Sequence, residues 1–131
     1  MFPPLRRVAT LLLIAIAGLG CGDSTLTSFE PEITNVPDNF QLQATKVRAV
    51  STTLIYKWQN TGTQAKVNHA TTTTMGSAQI VIRDAAGVQV YAHDLVPTLD
   101  EVSAPGTPGY WTIRVVLSRY SGTLNVRVQK Q

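Results

Sequence analysis

From residue 38 onward the apolar side chains recur at every second position, and no stretch carries the three-and-four spacing of an amphipathic helix. Phe40, Leu42 and Ala44 alternate with Gln41, Gln43 and Thr45. Leu54, Tyr56 and Trp58 alternate with Ile55, Lys57 and Gln59, and Asn60-Thr61-Gly62-Thr63 ends that run with turn-forming residues. Val47 to Ser51 can extend the first of these strands. The Thr-rich stretch from Gln64 to Thr74 suits one or two more, because β-branched side chains pack well on a pleated surface.

Two hairpins can be put in register. Asp84-Ala85-Ala86-Gly87 reads as a type I turn closed by a left-handed glycine, a three-residue loop that sets Asp84 opposite Val88. Ile82 then faces Val90 and Ile80 faces Ala92 on one side, while Arg83 meets Gln89 and Val81 meets Tyr91 on the other. The last two runs alternate as well: Trp111, Ile113, Val115 and Leu117, then Leu124, Val126 and Val128. Folding them about Arg119 to Gly122 aligns Leu117 with Leu124, Val115 with Val126 and Ile113 with Val128, which gives a hairpin with one wholly apolar face.

Seven or eight short strands separated by Gly, Pro and Asn predict an all-β fold, a small antiparallel β-sandwich over residues 38–131, with a small barrel as the alternative. Strand parity sends Tyr56, Trp58 and Trp111 inward. It leaves Tyr91 facing out beside Val81, Tyr110 after the turn-rich Ser103 to Gly109, and Tyr120 at the tip of the last hairpin.

The N-terminal segment follows a different pattern. Arg6 and Arg7 precede a run from Val8 to Leu19 broken only by Thr10 and Gly18, and small residues follow. A dozen apolar residues cannot cross a bilayer as a helix, which takes about 20. Residues 1–20 therefore read as an export signal that is removed. Leu19-Gly20-Cys21, preceded by Gly18, resembles the processing site of bacterial lipoprotein precursors. The resemblance implies a diacylglycerol on the Cys21 thiol, a mature chain starting at Cys21 and a membrane partner reached through that lipid. Gly22, where an inner-membrane retention signal has Asp, implies sorting to the outer membrane of the cell envelope. The alternative is a secreted, non-lipidated domain cut near Gly18 or Gly20. Cys21 is the only cysteine, so it has no disulfide partner within the chain, and an acyl-acceptor role accounts for it. Residues 21–37, rich in Ser, Thr, Pro and acids, read as a flexible tether that would hold the domain about 20 Å from the lipid.

Without residues 1–20 the chain has 111 residues, enough for one domain. Arg6 and Arg7 leave with the signal, so nine Lys and Arg then face eight Asp and Glu. That near balance, with the cations scattered along the sequence, argues against a nucleic-acid partner.

Candidate chemistry is sparse. His69 and His93 lack metal-ligand spacing and read as surface strand residues, with His93 outward beside Asp94. No GxSxG elbow or base beside a nucleophile is present, so a non-enzyme without cofactor or metal is expected. Asp84, Asp94, Asp100 and Glu101 could offer oxygens to calcium but form no DxDxDG loop, and Asp84 already has a turn to make.

Trp58-Gln59-Asn60-Thr61-Gly62-Thr63 is similar to a segment of bacterial Ig-like and adhesion-type modules. Pro108 to Ile113 with Ser121 to Leu124 resembles the terminal hairpin of prepeptidase C-terminal-type sandwiches. These resemblances imply an accessory role with no catalytic residues. The expectation is a lipid-anchored envelope protein whose sandwich serves protein contacts, with an envelope protein as partner. The alternative is a glycan or cell-wall binding module using exposed aromatics, for which Tyr91 and Tyr110 are the candidates.

Overall fold

The computed structural model describes residues 29–131; residues 1–20, read as an export signal, Cys21 and the first part of the stretch read as a tether lie outside them. The described chain is all-β, as its period of two predicts. Its seven strands are β1 (Glu32–Val36), β2 (Asn39–Asn60), β3 (Ala65–His69), β4 (Thr72–Arg83), β5 (Gln89–Asp94), β6 (Leu99–Val102) and β7 (Gly109–Lys130). All pair antiparallel in one continuous sheet that is not closed into a barrel.

The sheet becomes a sandwich because its two longest strands fold double. β2 and β7 each run for 22 residues and pair with each other almost end to end, from Asn39 with Gln129 to Asn60 with Gly109. A straight strand of that length would span about 70 Å. Yet the Asp38 amide, just before β2, donates to the Gln59 carbonyl near its other end at 2.9 Å. The ribbon therefore turns back on itself at a corner, where the β2 and β7 register shifts repeatedly between Ala44 and Thr52. Lys46, Ala49 and Arg119 take positive φ there, as do Gly76 and Gly122. Such bulges bend a strand, and in β7 the inward set changes from the odd positions Trp111 to Leu117 to the even positions Tyr120 to Val128.

One layer holds β1, the first half of β2, the second half of β7, β3 and β6. The other holds the second half of β2, the first half of β7, β4 and β5. The inward alternating residues of both layers form a single core that includes Phe40, Leu42, Trp58, Ile80, Ile82, Trp111, Ile113, Leu124 and Val128. Phe40 and Tyr56 pack ring to ring at 5.3 Å across the layers. Trp58 and Trp111, directly paired in register, meet edge to face at 6.0 Å, the arrangement that aromatic quadrupoles favour.

Four expectations are corrected. The last two runs are not a hairpin but one strand, β7, whose halves belong to different layers; Leu117 pairs with Thr52 and Ala78, and Leu124 with Ala44. Tyr120 is accordingly no hairpin tip. It is buried at the corner and its hydroxyl donates to the Thr72 and Thr123 carbonyls, both at 3.1 Å. The Asp84 hairpin forms, with Gly87 at φ +81° and Arg83 opposite Gln89, but a bulge then shifts the register so that Ile82 faces Tyr91 and Ile80 faces His93. Finally, Glu32–Val36, read as the end of a tether, is strand β1 on the edge of the first layer.

Candidate functional site

The sandwich stays open between β5 of one layer and β6 of the other, and the polar side chains of greatest chemical interest gather in that seam. β3 sends Ala65, Val67 and His69 inward, so His69, read as a surface residue, is 1% exposed. The bulge in β5 turns Tyr91 inward too; expected to face solvent, it is 8% exposed. The Tyr91 hydroxyl lies 3.3 Å from His69 Nε2. The His69 ring stands near-perpendicular to those of Tyr91 and His93 at 6.1 and 5.9 Å, and the Tyr91 and His93 rings are stacked. Two histidines expected to be separate and solvated therefore share one half-enclosed cluster. Their sequence neighbours hold no sign of this, because β3 and β5 meet only through the fold.

Electrostatics fix the protonation of the cluster. Burial holds the His69 imidazole below its ordinary value, the nearby His93 lowers it further, and Glu101 opposes them weakly. Burial raises the Tyr91 phenol well above its ordinary value, and the Glu101 carboxylate adds to the effect. At neutral pH both groups are uncharged. A single hydrogen bond joins the phenol oxygen to Nε2, its direction set by the imidazole tautomer. Nδ1 is buried and has no hydrogen-bond partner among the described residues. His69 Nε2 is thus engaged by Tyr91. This arrangement cross-links the two layers; a free general base would need an unengaged nitrogen facing a reactant.

The carboxylates do not converge. Asp84 is spent on its turn, accepting from Ala86 and Val88 through Oδ1 and from Thr107 through Oδ2, bonds that hold its carboxyl below the usual range. Asp100 reaches Lys66 at 3.5 Å on the outer face of the first layer. No group of three His, Cys, Asp or Glu able to hold a metal exists among the described residues.

Outside the seam, the outer face of the second layer is the most unusual surface. The β2–β7–β4 register sets Lys57, Thr112 and Arg83 in one row, and Ile55, Arg114 and Val81 in the next. Tyr110, as expected, is exposed, at 65%, and Ile55 is 62% exposed. Lys57 Nζ donates to Thr112 Oγ1, and neither it, Arg83 nor Arg114 has an ion-pair partner among the described residues. The half of β2 bordering this face pairs only with β7, and its other edge has no strand partner among the described residues. Asn35 Nδ2 donates to the Lys57 carbonyl on that edge. The opposite outer face, by contrast, is dominated by amides: Asn39, Gln41, Gln43, Asn125 and Gln129, with Gln129 donating to Asn39. Tyr91 and Tyr110, the two candidate ligand-binding aromatics, thus lie in different environments and form no common platform.

No protein-family model matches the chain, and no curated protein matches it.

Proposed function

We propose that this chain is a lipid-anchored protein of the bacterial cell envelope, held through Cys21, whose sandwich binds a protein partner without catalysing a reaction. The observation that supports the binding role most directly is the outer face of the second layer. Two large apolar side chains, Ile55 and Tyr110, are mostly exposed there, interleaved with Lys57, Arg83 and Arg114 and bordered by an unpaired strand edge. Interface cores favour aromatic and Arg side chains, and a free edge offers backbone groups to a partner strand. The non-catalytic reading is supported by His69, whose ring nitrogens are buried and whose Nε2 is engaged by Tyr91.

Two experiments test it. A photo-crosslinking amino acid at position 55 or 110, in the native envelope, should capture one discrete protein, whereas the same group at Asn68 on the opposite face should not. Equal or absent capture at all three positions removes the assigned face. Intact mass of wild type and Cys21→Ser tests the anchor: a diacylglycerol-sized increment on a chain beginning at Cys21, lost in the variant, is the expected result. An unmodified soluble chain would instead mean a secreted domain.

Glycan binding is the second reading, favoured by the exposure of Tyr110 beside Lys57 and Gln59. It rests on Tyr110 alone, since the Tyr91 ring is in the core.

A further inference from the structure

The corner at which β2, β4 and β7 cross between layers carries a concentration of positive charge that the sequence scatters. Lys46 and Arg48 lie on β2 and Arg119 on β7, all exposed. They are brought together by the register that pairs Val47 with Gly122 and Val50 with Tyr120, and by the Arg119 amide donating to Ser51 Oγ. None of the three forms an ion pair among the described residues. Met75, 64% exposed, is carried to the same corner by its pairing with Ser121. The acids nearby are Glu30, which lines a groove of about 440 Å³ with Lys46 and Arg48, and Glu32 in the adjoining groove.

Two of the three cations occupy unfavourable backbone. Lys46 has φ +54° and Arg119 φ +46°, in the left-handed region where Gly or Asn is at ease. A corner selected for bending alone would favour those smaller residues.

The chain also enters the domain here. Phe29 packs on the core and lines the same groove, and β1 begins at Glu32 opposite Gln43, next to the corner. Only eight peptide steps separate Phe29 from Cys21, a reach of at most about 28 Å. A lipid on Cys21 therefore holds this end of the sandwich close to the membrane surface, and the other end, with Gly87, Val88 and Gly109, is one strand length further away.

We infer that the Lys46, Arg48, Arg119 and Met75 corner docks on the headgroups of anionic phospholipids and orients the sandwich on the membrane. The inference rests on the Cys21 anchor proposed above. A single attached lipid leaves a tethered domain free to tumble; a basic patch supplies the second contact. It presents the far end of the second layer, with Tyr110, away from the lipid, where a partner can reach it.

The test uses the full chain processed in an exporting host, where lipidation consumes the Cys21 thiol, with Met75→Cys or Val88→Cys as the only free thiol for a spin label. The chain is reconstituted in phosphatidylcholine vesicles with or without phosphatidylglycerol. The label at 75 should be shielded, and its spectrum broadened by immobilisation against the headgroups, on phosphatidylglycerol vesicles at low salt; the label at 88 should stay mobile. High salt, or phosphatidylcholine alone, should release it. Each cation should contribute about fivefold to the docked population, so Arg48→Glu should lower it clearly and Lys46→Glu with Arg48→Glu and Arg119→Glu should abolish it. The salt and lipid comparisons on unreversed chain stand even if that triple variant folds poorly. A chain that floats with the vesicles while both labels stay equally mobile overturns docking and leaves the anchor intact. Shielding at 75 that needs no vesicles and grows with protein concentration assigns the corner to a second copy and also overturns it. A soluble chain with Cys21 unmodified overturns the anchor and this inference with it.

Discussion

Gly122 and Thr72 touch backbone to backbone at the corner: a Cβ on Gly122 would lie 2.0 Å from the Thr72 carbonyl oxygen. Gly76 is held in the same way against the Ser118 and Arg119 carbonyls, at 2.3 and 2.2 Å, and both glycines have positive φ. The two glycines let β4 and β7 cross closely while the ribbon turns between layers. Gly122→Ala and Gly76→Ala should each cost about 3 kcal/mol or more, since strain and overpacking add. Gly87, at φ +81° but with open space around it, should cost only about 1 kcal/mol as Gly87→Ala. Urea midpoints of the three variants check this order, and equal losses would show that the close approach is not what the corner needs.

The tryptophan pair is asymmetric. Trp111 Nε1 donates to the Thr107 carbonyl at 2.8 Å, while the buried Trp58 Nε1 has no partner among the described residues. Both rings are fully buried, so replacing either with Phe leaves a void. Trp111→Phe also removes a hydrogen bond to the Thr107 carbonyl, which keeps the Ala85 amide as a donor at 3.3 Å, whereas Trp58→Phe removes an unpaired donor. Trp111→Phe should therefore be the more destabilising by about 1 kcal/mol, measured by chemical denaturation.

How much of this was legible in the sequence depends on whether the deciding interaction was local. The Asp84 turn was readable because its carboxylate, its glycine and its two flanking strands lie within a few residues. The bulge beyond it was not. The Ala104 amide donates to the Val90 carbonyl from a loop that covers β5, so Val90 and Tyr91 are both buried in succession and alternation fails locally. The corner of β7 was misread for a different reason. Two alternating runs around Ser118 to Gly122 give the same apolar pattern whether they pair as a hairpin or face each other across a core. The choice is made by β2, which accompanies β7 through the bend. The His69, Tyr91, His93 and Glu101 cluster depended on that long-range geometry as well. The basic corner was hidden because Lys46 and Arg119 lie more than 70 positions apart.

Ile55 and Tyr110 separate binding from stability. Both are largely exposed, so Ile55→Ser and Tyr110→Ser should change unfolding free energy by no more than about 0.5 kcal/mol. They should nonetheless remove the crosslinked partner if this face is the interface. Tyr110→Ala is also the clean test of glycan binding, with unchanged elution on polysaccharide disposing of that reading. Tyr91→Ala cannot serve, because truncating a ring in the core should cost about 3 kcal/mol or more by itself.

The seam cluster makes stability depend on pH in a way that can be assigned. His69 titrates near 6.5 when unfolded and lower when folded, with Tyr91, His93 and Glu101 facing it. Below about pH 6.5 the unfolded chain therefore takes up a proton that the native chain does not. Stability falls with decreasing pH at up to about 1.4 kcal/mol per pH unit, until the native imidazole also protonates. A second loss begins lower, below about pH 3.8, as the Asp38 and Asp84 carboxyls, both held down by hydrogen bonds in the native state, are forced to protonate. Denaturant midpoints measured from pH 8 to pH 3 should show both limbs. His69→Phe, which keeps an aromatic ring in the seam, should flatten the upper limb and leave the lower one; Asp84→Asn should weaken only the lower. An upper limb that survives His69→Phe would place the titrating group elsewhere.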